Sequence, residues 1–80
     1  MGEKFSLHTM IYNADKELFN FAKIKLFKDF NEAVKERNNV IDELQLNYGF
    51  MDDDVNYNNH GKNVKIYFHD SICKIRIHAI

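Results

Sequence analysis

The chain has 80 residues, of which 45% are hydrophobic and 29% charged, and its formal net charge at pH 7 is −1. This length allows one domain, residues 1–80, and the composition excludes an intrinsically disordered chain. No segment approaches the roughly 18 consecutive apolar residues of a membrane span, and the N-terminus lacks the apolar run of a secretory signal. The single cysteine, Cys73, excludes an internal disulfide and favours a reducing compartment. We therefore expect a soluble, cytoplasmic protein with no membrane contact.

Two strands are predicted at the start of the chain. Residues 4–12 alternate between apolar and polar side chains, and residues 13–16 have the composition of a turn. Residues 18–27 form the second predicted strand, because the segment 22–26 alternates with period two. A helix over the same residues is the alternative, because three apolar residues also recur at a spacing of four. These are Leu18, Ala22 and Leu26.

The alternation in the second strand predicts which side chains it exposes. We expect Ala22, Ile24 and Leu26 to face the helix, so that the intervening residues face outward. Exposed phenylalanines close together often mark an interaction site. A bulge near Ala22, which would return two of the phenylalanines to the interior, is the alternative. The predicted outward set consists of Phe19, Phe21, Lys23, Lys25 and Phe27.

A helix is predicted over residues 30–46. Asp29 is a good N-cap residue, and Gly49 lies just beyond the predicted end, where a left-handed residue favours termination. Apolar residues recur at spacings of three and four and form one stripe, which is interrupted only by Arg37. The stripe consists of Phe30, Ala33, Val34, Val40, Ile41 and Leu44.

The last part of the chain predicts three strands joined by tight turns. Residues 47–54 form a connection that ends in three adjacent aspartates, whose mutual repulsion favours a solvated loop. Turns are predicted at His60-Gly61 and at Asp70-Ser71. The strands that they delimit are residues 54–59, 63–69 and 72–80. The predicted fold class is therefore α+β, in the order β-β-α-β-β-β, with one amphipathic helix on one face of an antiparallel sheet of about five strands.

The two turns also predict a register. The turn at 70–71 would pair Phe68 with Cys73, and the turn at 60–61 would pair Tyr57 with Val64. A slip of one residue would turn the apolar side chains of these strands into solvent. Six of them are therefore expected to face the helix, namely Val64, Ile66, Phe68, Cys73, Ile75 and Ile77.

The same register predicts an outward face that is basic and aromatic. Lys65 is expected opposite Arg76, and Tyr67 opposite Lys74. Like charges directly opposite each other are destabilising, so this face is either a solvated surface that tolerates the pair or a patch that binds something acidic. The predicted partner-binding residues are Lys65, Tyr67, His69, Lys74 and Arg76, flanked by His78, together with Phe19, Phe21, Lys23 and Lys25.

Charge is segregated along the chain. Residues 29–54 contain eight acidic and two basic groups, whereas the segments on either side are net basic. A near-neutral chain therefore has opposed charged regions, which steer encounters with charged partners. The predicted acidic surface consists of Glu32, Glu36, Asp42, Glu43, Asp52, Asp53 and Asp54.

We find no motif that indicates catalysis. The chain has three glycines, too few for a phosphate-binding loop, and its four histidines are dispersed. The three aspartates at 52–54 lack the spacing of a calcium loop, and Cys73 is predicted to face the core, where its thiolate is suppressed. The sequence therefore predicts a protein that is not an enzyme, with no metal and no cofactor.

Two functions remain as expectations. The first is a protein-binding module, an inhibitor or adaptor that acts on a larger protein. Either the acidic surface imitates nucleic-acid phosphates for a basic groove of that protein, or the sheet face binds an acidic surface on it. Small proteins by which phages inhibit bacterial enzymes or defence complexes such as CRISPR have this size and composition, although no motif links the chain to one of their families. The second is nucleic-acid or nucleotide binding by the basic, aromatic sheet face. Homodimerisation through an edge strand or exposed phenylalanines is a separate expectation.

Overall fold

A computed structural model describes residues 2–13, 18–68 and 70–80, with residues 18–21 described by their backbone alone. The chain forms strands β1 (Phe5–Asn13) and β2 (Leu18–Phe27), helix α1 (Phe30–Tyr48), a short 3-10 helix (Asp52–Asp54), and strands β3 (Val55–Asn58), β4 (Asn63–Phe68) and β5 (Ser71–Ala79). This order confirms the predicted α+β class and the β-β-α-β-β-β succession.

The five strands form one antiparallel sheet in the order β2-β1-β5-β4-β3. The strand predicted over 18–27 is confirmed, because it pairs with β1 along its length. Helix α1 then carries the chain across the sheet to β3, and the last strand returns to lie beside β1. Residues 14–17, which include most of the first predicted turn, lie outside the described residues.

The two residues predicted to flank helix α1, Asp29 and Gly49, are its N-cap and C-cap. The Asp29 carboxylate accepts a hydrogen bond from the Asn31 N–H at 3.2 Å, which satisfies a donor that the first turn leaves unpaired. Gly49 adopts a left-handed conformation (φ 73°), and its N–H donates to the Gln45 carbonyl. The helix extends two residues past the predicted end at residue 46.

The hydrophobic core lies between α1 and the facing side of the sheet. All six residues predicted to face the helix are buried, which confirms the predicted strand parity. Leu7 and Ile11 of β1 and Ala33 and Ile41 of α1 complete the layer. The connection after the helix differs from the predicted solvated loop, because Phe50 is buried and stacks with Phe68 at 5.5 Å between ring centroids.

The predicted β3–β4 register is confirmed, whereas the predicted β4–β5 register is wrong by two residues. Tyr57 pairs with Val64 as expected. Cys73, however, pairs with Ile66 and not with Phe68, which pairs with Ser71. A shift of two residues leaves every side chain on the same face, so the apolar pattern could not discriminate between the two registers. The turn lies one residue earlier than predicted, and His69 lies outside the described residues.

The predicted orientation of β2 is wrong. Lys25 pairs with Leu7, and Lys23 pairs with Thr9, so both lysines lie on the side of the sheet that faces α1. Phe27 is half-buried against the core on this side, while Ile24 is 64% exposed on the other. The lysines are tolerated there because β2 is an edge strand, where a long stem can cover apolar surface while its ammonium reaches solvent.

The alternative of a bulge near Ala22 agrees with the backbone. Strand β1 steps from Ile11 to Tyr12 while β2 steps from Phe21 to Phe19, so Asn20 is an extra residue in β2. The side chains of Phe19 and Phe21 lie outside the described residues. Their exposure stays a prediction.

Arg37, the polar interruption of the helical stripe, is buried and joins α1 to the β3–β4 hairpin. Its Nη1 donates to the Gly61 carbonyl, and its Nε and Nη2 donate to Asn38 Oδ1 at 3.2 and 3.0 Å. Its guanidinium also lies 5.3 Å from the centroid of the Tyr57 ring. Gly61 has a φ of 82°, a left-handed conformation that favours glycine, in the turn that presents this carbonyl.

Candidate binding site on the outer sheet face

The face of the sheet that points away from α1, here called the outer face, gathers basic side chains from three adjacent strands. Antiparallel partners share a face, so Lys74 lies between Met10 and Lys65, and Arg76 lies beside His8. We call this group the basic patch. It consists of His8, Lys65, Lys74, Arg76 and His78.

No carboxylate belongs to any of the five strands within the bounds given above. The cations of the basic patch therefore have no strand residue of opposite charge beside them on the outer face. Such a face repels cations and attracts anions, because each charge adds to a potential of one sign. The patch has the electrostatic character of a binding surface for an acidic group.

The pairs predicted within this face are wrong in detail. Lys65 lies opposite Lys74 and not opposite Arg76, and Tyr67 lies opposite Ile72 and not opposite Lys74. A like-charged pair is nevertheless present, as predicted, because the two-residue shift in register exchanges one cation for another.

Two tyrosines accommodate this like-charged pair. The Lys74 ammonium lies 5.2 Å from the ring centroid of Tyr12 on β1, and the Lys65 ammonium lies 6.0 Å from that of Tyr67 on β4. Cation–π attraction draws each ammonium onto a different ring and partly compensates the repulsion between them. The tyrosines thus allow the sheet to carry two adjacent cations.

A histidine pair forms the end of the patch nearest β1. The rings of His8 and His78 lie edge to face with their centroids 4.6 Å apart, and His8 Nε2 lies 2.9 Å from the Ser6 hydroxyl oxygen. Burial, and secondarily repulsion from His78, lower the pKa of His8 below its usual value of 6.5. Arg76, directly opposite His8 on β5, is a further positive neighbour.

This lowered pKa predicts a loss of stability in mild acid. Below pH 6.5 the unfolded chain binds a proton at His8 that the folded chain resists, so the free energy of unfolding falls as the pH drops from 6.5 toward the folded-state pKa. Urea unfolding at pH 7.5 and pH 5.5 measures the difference. The change His8→Gln should reduce this pH dependence.

The matched control for that experiment is His60→Asn, since His60 lies in the exposed β3–β4 turn and not in the patch. Its pH dependence should match that of the unmodified protein. An unchanged pH dependence in His8→Gln would contradict the assignment to His8.

An exposed apolar strip borders the basic patch on β2. It consists of Ala22, Ile24 and Leu26, which pair with Met10, His8 and Ser6. Ile24 and Leu26 are 64% and 52% exposed. The outer face therefore combines a basic centre with an apolar edge.

The predicted acidic surface lies on α1 and the 3-10 helix, and three of its members have structural roles. Glu36 pairs with Lys25 at 3.4 Å, Asp52 accepts a hydrogen bond from the Gln45 amide, and Asp54 accepts one from the Met51 N–H. The remaining four are exposed: Glu32, Asp42, Glu43 and Asp53. Acidic groups thus predominate on the helix side of the molecule, and basic groups form the opposite face.

The structure also locates the groups that bear on chemistry. Burial raises the pKa of the Cys73 thiol to about 12, so its thiolate is not formed near neutral pH. Among the described residues, no three His, Cys, Asp or Glu side chains lie close enough together to hold a metal ion. In the same part of the chain, no helix combines the length and apolarity needed to span a membrane.

Sequence reasoning missed two groups of residues on the outer face. His8 and Tyr12 join the site because β1 lies beside β5, and the apolar strip joins it because β2 has the opposite orientation to the one predicted. The alternation of β1 placed His8 on the polar side of that strand. Periodicity does not indicate, however, which strand pairs with β1 on that side of the sheet. Of the predicted residues, Lys23 and Lys25 are excluded from this face.

Comparison of the chain with protein-family models, with curated proteins and with solved structures finds no match.

Proposed function

We propose that this protein is a binding module whose outer sheet face recognises an acidic surface on a larger protein. The observation that carries the proposal is the basic patch on strands that contain no carboxylate. An open sheet face presents its side chains in a regular array, so it can meet a partner without rearrangement of the backbone.

The charge distribution of the whole molecule supports this orientation of binding. Exposed acidic groups lie on the helix side and the basic patch lies on the sheet side. An acidic partner is repelled by one side and attracted by the other, so encounter is biased toward the sheet face. Such complementarity contributes to the association rate and to specificity more than to raw affinity.

The composition of the patch also resembles that of protein interfaces. Tyrosine and arginine are enriched among the residues that dominate binding energy. Arg76 is exposed, and Tyr67 is 48% exposed beside Lys65. The apolar strip along β2 extends this surface with aliphatic side chains, as in an interface that combines polar and hydrophobic areas.

Three observations favour a protein over a nucleic acid. Dedicated nucleic-acid-binding domains are basic as a whole, whereas this chain has a net charge of −1 and an acidic helix side. Single-stranded binders also need aromatic faces for base stacking, and lysine ammonium groups lie near the Tyr12 and Tyr67 rings. Aliphatic Ile24 and Leu26, moreover, offer nothing to a phosphate backbone.

We further propose that the module acts as an inhibitor or adaptor. A binding module of this kind would act by covering a surface of the partner or by bridging it to another molecule. The outer face is five strands wide, which is wide enough for one protein–protein interface of standard size.

A short oligoglutamate peptide is the probe for the proposed site. We expect it to bind at low salt, to weaken as salt is raised, and to bind Lys74→Glu at least about tenfold more weakly, which is ~1.4 kcal/mol. Fluorescence anisotropy of the labelled peptide measures the affinity. The matched control is Lys35→Glu on α1, which changes the net charge equally but lies on the other side of the molecule.

The outcomes separate the alternatives. Equal weakening by Lys35→Glu would show an effect of net charge and not of the patch. Tighter binding of an oligothymidine of the same charge as the peptide would assign the face to nucleic acid. Absence of binding to either probe at low salt would overturn the proposal.

A further inference from the structure

Strand β2 is a long edge of the sheet that bears exposed apolar side chains. It has ten residues, and β1 is its one strand partner within the described part of the chain. The opposite edge, β3, has only four residues. Long edges with apolar side chains are templates for pairing with another strand, and proteins usually shorten or charge them.

The two lysines of this edge lie near acidic groups of α1, and one of them forms an ion pair there. Lys25 Nζ lies 3.4 Å from Glu36 Oε2, and Lys23 lines a cleft that also contains Glu43. Both lysines lie on the helix side, away from the apolar strip. The outer side of this edge, the apolar strip, is therefore uncharged. Both lysines lie on its other side, near a carboxylate of α1.

We propose that β2 pairs with β2 of a second copy of this chain, antiparallel and about a two-fold axis at Ile24. In this register Ile24 meets its own counterpart on the outer face, and Leu26 meets Ala22 of the other copy. On each side of the axis the large Leu26 side chain then packs against the small Ala22 side chain, which fills the space without a clash.

The neighbouring registers are less favourable. An axis at Lys23 leaves Leu26 without a strip residue of the other copy opposite it, and an axis at Lys25 leaves Ala22 without one. The Ile24 axis is the one register of the three in which all apolar strip residues face one another. It places Lys23 opposite Lys25 of the other copy, and the Lys25–Glu36 ion pair in each copy reduces the repulsion between these lysines.

Such a dimer has one continuous outer face of ten strands, with both helices on the other side. The two β5 strands are five strand spacings apart, roughly 24 Å. Two copies of the basic patch would then face the same way and could engage two acidic sites together.

Sedimentation velocity over a range of concentrations tests this pairing. We expect a reversible dimer whose midpoint concentration rises at least about tenfold in Ile24→Lys and in Ile24→Glu, because each places like charges on the axis. The control Asn56→Lys puts the same charge on the outer face of the other edge, β3, and should leave the dimer intact. Circular dichroism confirms that each variant is folded.

Mixing the two charged variants tests the register itself. Because residue 24 faces residue 24 across the axis, an equimolar mixture of Ile24→Lys and Ile24→Glu should dimerise at a lower concentration than either variant does alone. A monomeric unmodified protein at its highest soluble concentration, or a mixture that stays monomeric, would overturn the proposal. Oligoglutamate binding by the unmodified protein, measured below the midpoint concentration of the dimer, keeps this result separate from the proposed function.

Discussion

Replacement of Ile75 by alanine is expected to destabilise the fold by about 2–5 kcal/mol. Ile75 has no solvent exposure and lies in the middle of the central strand β5, between Val64 on β4 and Thr9 on β1. The truncation removes buried methyl groups and leaves a cavity that neighbouring strands cannot collapse to fill. Domains of this size are stable by a margin of roughly 5–15 kcal/mol, so the loss is a large part of the total.

The matched control is Ile24→Ala, which makes the same substitution in a strand at a residue that is 64% exposed. Its effect on the free energy of unfolding should stay within about 0.5 kcal/mol when both are measured by urea unfolding of the monomer. The comparison also tests the orientation of β2. A large loss in Ile24→Ala with a small one in Ile75→Ala would contradict the packing described here.

Replacement of Arg37 by methionine is expected to cost about 1.5–3 kcal/mol, the range for hydrogen bonds that involve a charged group. Methionine keeps the apolar stem but cannot donate to the Gly61 carbonyl or to Asn38 Oδ1. The β3–β4 hairpin would lose its connection to α1. Faster amide exchange in the turn at 59–62, together with a lower urea midpoint, is the expected measurement.

Two further variants define this contact. Lys35→Met removes a charge from an exposed residue of the same helix and should be nearly neutral. Arg37→Lys keeps the charge but lacks the planar fork that reaches two acceptors, so it should not restore stability fully. Full stability of Arg37→Met would show that the buried guanidinium merely offsets its own desolvation.

The elements of this fold were predictable because their signals are local. Asp29 and Gly49 mark the ends of α1 through hydrogen bonds and dihedral angles that involve adjacent residues. The parity of β4 and β5 was predictable because one face must be apolar, and Ile66, Cys73 and Ile75 are indeed fully buried. Register along β5 was not, because a two-residue shift satisfies the same parity.

The orientation of β2 was wrong for a related reason. Both of its faces are partly exposed, so the rule that apolar side chains point inward has little force at this edge. Pairing with β1 and the Lys25–Glu36 ion pair decide the side on which the lysines lie. These contacts join residues distant in sequence, and periodicity within one strand does not report them.

The α+β class, the cap residues of the helix, the buried faces of β4 and β5, and the separation of acidic from basic segments all follow from local patterns in the chain. The return of β5 to a place beside β1 does not, and it is this pairing that assembles His8, Tyr12 and Arg76 with Lys74 on one face. The physical reason is that local hydrogen bonding and hydrophobic periodicity act over a few residues, whereas strand order follows from covering one sheet face with the helix.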